Sequence, residues 1–410
     1  MFKQRNVVLL FVFAFLLSLF AACGDSGSSG DANSGNLTVW AMGAEGDNLK
    51  ALADDFTKAN PNIHVTVQAI PWSDAHSKLL TAVAGGQTPD VTLMGTTWMP
   101  EFAKMGALDT PPSDIDQNSF FPSTWSTTVY NGTSYGVPWY VDTRVLFYRT
   151  DIAQKAGITH APQTWDELLA DAKAMQQKGG AKYGINLGAK DWQELVPFIW
   201  QGGGDVYKDG KFTLNTPQTV QALSYYQSFF KQGLTPSSAP QNFDGIQAFV
   251  QGTHPMFISG SWNISAINQK SNGKLDGKWA VATLPKQNSM TSFVGGGDLA
   301  VFKNSSNKAA AWKFVKYLSQ PDVQQKWYTI MQDMPAAKAA WDSGTLSTDK
   351  NMIVFRNQLN DAKAPPAIVK WQEVADSIDT NMEQVMLGKA TPEQAAQSMQ
   401  QNAESIGTGD

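Results

Sequence analysis

The chain carries four histidines, His64, His76, His160 and His254, and one cysteine, Cys23. No two histidines stand at i, i+4 spacing and none lies near the cysteine, so no metal centre is expected. A single cysteine also rules out a disulfide framework. There is no G-x-S-x-G elbow, no P-loop lysine motif and no G-x-G-x-x-G fingerprint, so no cofactor and no catalytic residue is assigned. The clusters Gly202–Gly204 and Gly295–Gly297 read as tight turns or as backbone brought close to a ligand. Carboxylates are plentiful, which leaves a glycosidase pair open, but nothing singles out two of them. What invites explanation is aromatic: 14 tryptophans, several beside polar residues. Trp40 to Glu45, Thr97 with Trp98, Trp139–Tyr140 with Asp142, and Trp262 all fall in or next to predicted strands. In open α/β sheets, ligands bind outside the carboxyl ends of strands. A neutral polyhydroxylated ligand suits this set: ring C–H faces stack on indoles, and acids accept from hydroxyls. Hydrogen bonds to charged groups contribute about 1.5–3 kcal/mol each. A few of them with two stacked rings reach about −8 kcal/mol, micromolar affinity, after association costs.

The elements that must position these residues alternate. Leu37–Met42 reads as a buried strand, and Leu49, Leu52 and Phe56 recur at helical spacing. Ile63–Ile70 alternates as a strand, Asp74–Ala84 is helical up to Gly85–Gly86, and Pro89–Gly95 is a third strand before a short helix. That order predicts a parallel α/β sheet. A second such unit is expected after Val137–Arg149. Its helix begins at Thr164, with Glu167 placed for a capping box. Helices are further expected near Gln218–Lys231 and Asp244–Gln251, around Ala311–Leu318, from Pro321, and twice in Ala367–Ile406. Strands are expected at His254–Ser259 and Lys278–Pro285, with an extended run at Phe293–Lys303.

Apolar residues make up 42% of the 410 and charged residues 16%, enough core for two or three domains. A net charge of −5 argues against a nucleic-acid partner. Lys3 and Arg5 precede an apolar run, Val7–Phe20, that is too short to span a bilayer. Residues 1–22 therefore read as a signal peptide. Cys23 follows Ala21–Ala22 and resembles the lipidated cysteine of a bacterial lipobox, with Phe20 where that motif usually has Leu. An ordinary cleaved signal is the alternative. Residues 23–36 are Gly- and Ser-rich and read as a lipid-anchored flexible tether. The expected location is the extracytoplasmic face of the cell membrane.

Six segments then follow in order: VWAMGAEGDNLKALADDFTKANP, GGQTPDVTLMG, YGVPWYVDTRVLFYRTDIAQKAGI, PQTWDELLADAKAM, GTHPMFISGSW and VGGGDLAVFKNSSNKAAAWKFVKYLSQPDVQQKW. Together they resemble the family 1 extracellular solute-binding proteins of ABC-type sugar importers, the maltose-binding-protein superfamily. The resemblance implies a two-lobed, type II periplasmic-binding-protein-like α/β fold with hinge strands crossing between lobes. It implies an N-terminal lobe of residues 37–143 plus 297–335 and a C-terminal lobe of 144–296 plus 336–410. It also implies no catalysis. A monomer would close on a neutral mono- or oligosaccharide and deliver it to the transmembrane subunits of the permease.

Site residues follow from the same likeness. Asp142 stands where relatives carry a carboxylate just before the crossing, as a ligand contact or a hinge hydrogen bond. Trp262 stands where they carry a stacking aromatic. Glu45, Thr97 and Trp98 follow strands and would line the cleft. Trp139 and Tyr140 belong to its hinge side or to the core, and Trp192 and Trp371 to cleft or core. Gly296, Gly297 and Asp298 would turn backbone and one side chain to the sugar. Asp90 and Asp166 are family hallmarks outside the site. The rivals are a polyamine or glycerol-phosphate binder of the same fold, a glycoside hydrolase and a lipid-anchored adhesin.

Overall fold

The computed structural model describes residues 32–238 and 243–409. Cys23, the signal segment and most of the tether lie outside the described residues. β1 (Gly35–Met42), α1 (Lys50–Ala59), β2 (Ile63–Ile70), α2 (Trp72–Gly85) and β3 (Val91–Gly95) follow the predicted alternation. β1 pairs in parallel with β2 from Gly35↔Ile63 to Met42↔Ile70, and with β3 at Val39↔Val91. On α1, Leu52, Ala53 and Phe56 form the buried face that the 3–4 spacing demands. α2 stops at Gly86, whose φ of 64° makes a left-handed cap.

β4 (Val137–Thr143) and β5 (Val145–Tyr148) are separated by Arg144 alone, yet they belong to different sheets. Flanking β5 are β6 (Met256–Ser259) and β7 (Ala280–Ala282), and all pairings are antiparallel. This corrects the expectation of a second parallel unit: β6 and β7 run the same way, but β5 is inserted between them in the opposite sense. β8 (Ser292–Val301) returns antiparallel along β4. With β9 (Met334–Pro335) the large sheet has the order β9-β4-β8-β3-β1-β2, and β10 (Ala362–Lys363) adds to β8. The β4–β5 and β8 runs are thus the two crossings between lobes.

Burial follows the same plan. One apolar cluster gathers Leu37, Phe56, Leu93, Trp139, Leu299 and Trp327. A second gathers Leu146, Leu168, Phe198, Tyr226, Trp371 and Met399. A third, with Val141, Phe147, Val294, Met334 and Trp341, draws from both sides of the expected lobe boundary and packs under the crossing strands. No helix among the described residues is long and apolar enough to cross a membrane.

Two helices of the site escaped sequence reading. α3 (Trp192–Gln201) has a helical apolar spacing at Trp192, Leu195, Val196 and Ile199, but it is short and carries Pro197, a nominal breaker. α4 (Trp262–Ser271) has weak helix formers and no side-chain N-cap bond. The capping box expected at Thr164 is half made. Thr164 accepts from the Glu167 N–H at 3.2 Å, but Glu167 accepts from the Gln163 N–H, one residue earlier.

Candidate ligand-binding cleft

The short helix Gly43–Asn48 after β1, the start of α2 and the turn after β3 meet the start of α4 and the N-terminus of α3 across a cleft of about 620 Å³. Glu45, Thr97, Trp98, Tyr140, Asp142, Trp192, Trp262 and Gly296 line it, as expected of their positions. Trp72, Gln193, Ser261, Phe293, Asp333 and Gln372 also line it and were not foreseen. Trp72 lies just beyond the carboxyl end of β2, so the strand-end rule, applied once more, finds it. Asp333 precedes a two-residue strand that no sequence pattern marks.

Four expected residues are elsewhere. Trp139 is fully buried in the first lobe's core, stacked on Trp327 with ring centroids 4.6 Å apart. Trp371 is fully buried at the start of its helix, edge-on to Trp192 at 5.2 Å. Neither indole N–H has a hydrogen-bond partner among the described residues. Gly297 is buried beneath the Tyr140 ring: a Cβ there would come within 2.6 Å of Tyr140 Cε1. Asp298 is buried behind the cleft, where the Thr127 hydroxyl lies 3.1 Å from both carboxyl oxygens. Thr127 also donates to the Thr124 carbonyl.

The remaining side chains are held from behind. Tyr140 donates its hydroxyl to Glu45 Oε1 at 3.0 Å. Burial, and then the Glu45 charge, hold that phenol well above its usual range. Trp98 packs edge-on to Trp72 at 5.6 Å and against His76 at 5.2 Å. His76 is fixed by Glu101, 2.7 Å away. On the other wall, the Arg144 guanidinium lies 4.7 Å over the Trp262 ring and donates to Gln193 Oε1 at 2.7 Å. It also sits 3.5 Å from Asp142 Oδ2. The other oxygen, Asp142 Oδ1, is buried with no hydrogen-bond partner among the described residues. Burial pushes the Asp142 carboxyl up to about 6, with Arg144 opposing. Asp333 accepts from the Trp327 indole at 3.0 Å. It is held well above the ordinary carboxylate range by burial, then by the charge of Glu45.

Two carboxyls behind the walls are also displaced upward. Burial raises Asp298 from 3.8 to about 8, and burial with Asp191 raises Glu194 from 4.5 to about 8. Native chains therefore bind more protons than unfolded ones across this window, and stability falls as pH rises. The contribution is complete below pH 4 and lost as pH climbs through about 8. We expect the Tm to be roughly 5 °C or more lower at pH 8 than at pH 5. Asp298→Asn, whose amide can donate to Thr127 as the protonated acid does, should flatten that slope and leave ligand affinity unchanged. A Tm that climbs between pH 5 and pH 8 contradicts this.

Residues 41–325 match the family described as bacterial extracellular solute-binding protein, and the chain belongs to that family. The sugar-binding protein MalE of Xanthomonas citri superposes with a TM-score of 0.85 at 33% identity, covering 91% of this chain and 97% of its own. The GacH receptor of Streptomyces glaucescens, solved unliganded and with acarbose, gives 0.82 at 26% identity, covering 91% and 98%. The diacetylchitobiose binding protein of Streptomyces coelicolor is 29% identical, covering 96% of this chain and 97% of its own. These relatives are binding proteins, not enzymes.

Proposed function

We propose that the chain is the binding component of an ABC-type sugar importer. It captures a sugar or oligosaccharide between its lobes and passes it, unaltered, to the permease's transmembrane subunits. One observation carries the reading: Trp72, Trp98 and Tyr140 from one lobe and Trp192 and Trp262 from the other line one cleft with three carboxylates. Rings give the C–H faces of a pyranose a surface to stack on, and acids accept from its hydroxyls. The relatives named for sugars cover nearly the whole chain, which supports the same reading. The lobes are taken as residues 37–143 plus 297–335 and 144–296 plus 336–410. A ligand touching both gains contacts only when they close, so closure follows from that differential affinity. A lipid on Cys23 would hold the monomer at the outer membrane face, near its permease.

The test is thermal stabilisation of the chain from residue 24 onward by a panel of mono-, di- and trisaccharides. At a ligand concentration of about 100 Kd, stabilisation approaches 2.7 kcal/mol. A panel without any shift in Tm, or release of reducing sugar from chromogenic glycosides, contradicts the proposal.

A further inference from the structure

The charge of the cleft is one-sided. Glu45, Asp142 and Asp333 line it, and among the described residues no lysine, arginine or histidine does. The adjacent cation, Arg144, is engaged with Gln193, the Trp262 ring and one oxygen of Asp142. Asp142 Oδ1 is left buried without a donor among the described residues. Asp333 feels the charges of both Glu45 and Asp142, so the three acids act on one another. Tyr140 and Trp327 already donate to Glu45 and Asp333, so what this group of acids lacks is positive charge beyond Arg144. A wholly neutral sugar supplies hydroxyl donors but no charge, and leaves Asp142 and Asp333 above the ordinary carboxylate range. A sugar bearing an ammonium supplies both, and an anionic sugar would add to the repulsion.

We propose that the ligand is an aminosugar, with a protonated amine in place of a ring hydroxyl, received by the Glu45–Asp142–Asp333 face. This rests on the sugar reading above and changes one feature of it, the expectation of a neutral ligand. Stacking on the tryptophans is unaffected, because the amine replaces a substituent at the ring's edge.

Calorimetric titration at neutral pH with matched pairs tests it: glucosamine against glucose, chitobiose against cellobiose, and trehalosamine against trehalose. At least one amine is expected to bind tenfold or more tightly than its hydroxyl partner. Asp142→Asn should bring that pair within about threefold, and Asp333→Asn, the second variant should the first fold poorly, should act the same way. Amines that bind no better than their partners, or not at all, overturn the aminosugar proposal. So does a preference for diacetylchitobiose over chitobiose. In all these cases the sugar reading stands if any panel saccharide stabilises the protein. Binding of spermidine with no sugar bound overturns both.

Discussion

Gly260→Ala is expected to weaken ligand binding at least tenfold, as much as Trp262→Ala, while leaving the fold intact. A Cβ on Gly260 would lie 1.9 Å from Trp262 Cζ3 and 2.5 Å from Asp142 Oδ1. Something must move, and the backbone is buried whereas the Trp262 ring is 40% exposed. The ring therefore swings off its seat beneath Arg144. Losing one stacked ring costs about 1.5–3 kcal/mol, a factor of roughly ten to a hundred in Kd. Because the tightest clashes of Gly260→Ala fall on the same ring, the losses in the double variant should be well short of additive. The unliganded Tm of Trp262→Ala should stay within roughly 2 °C of the parent, since a half-exposed ring holds little of the core. Calorimetry on the three variants checks this, and additive losses in the double variant would show that Gly260 does not act through Trp262.

Gly296→Ala should instead damage the fold. Its φ is +124°, and a Cβ there would sit 2.2 Å from the Tyr140 carbonyl oxygen and 2.9 Å from Val141 Cα. These are backbone atoms of the paired crossing strand, so no side chain can yield. Registration between β4 and β8 already shifts just beyond, between Gly297 and Asp298. Strain of this kind, with the loss of pairing, costs roughly 3 kcal/mol or more. A denaturant midpoint well below the parent's is the expected result. Gly85→Ala is the control, because nothing lies within 4 Å of its Cβ position. It ends α2, so alanine should be neutral or slightly stabilising. An unchanged midpoint for Gly296→Ala would mean that the crossing strands tolerate separation.

How much of this was legible in the sequence depended on the period of each element. The strand-end rule found Glu45, Thr97, Trp98 and Trp262 because each sits just past a strand or its neighbouring turn. Asp142 was found from its place before the crossing. Trp139 was left open between cleft and core, and its strand position decides for the core. Successive residues of a strand face opposite sides, so with Tyr140 and Asp142 turned to the cleft, Trp139 goes to the core. Trp371 and Asp298 went astray for a different reason. Each adjoins a cleft residue in space, Trp371 against Trp192 and Asp298 beside Gly297, but stands one layer behind it. Sequence spacing does not resolve that depth. Gln193 was invisible because α3 carries a proline, and Phe293 stood in a foreseen extended run whose three glycines hide which side chains face the cleft.

The central claim is that a saccharide joins the two lobes by bridging the cleft. The most direct measurement is small-angle X-ray scattering from the chain without its first 23 residues, alone and with the saccharide that gives the largest thermal shift. A bridging ligand predicts a smaller radius of gyration in the complex and no such change in Trp262→Ala at the same concentration. Superimposable profiles at saturating ligand would mean that binding does not draw the lobes together, and would contradict the account.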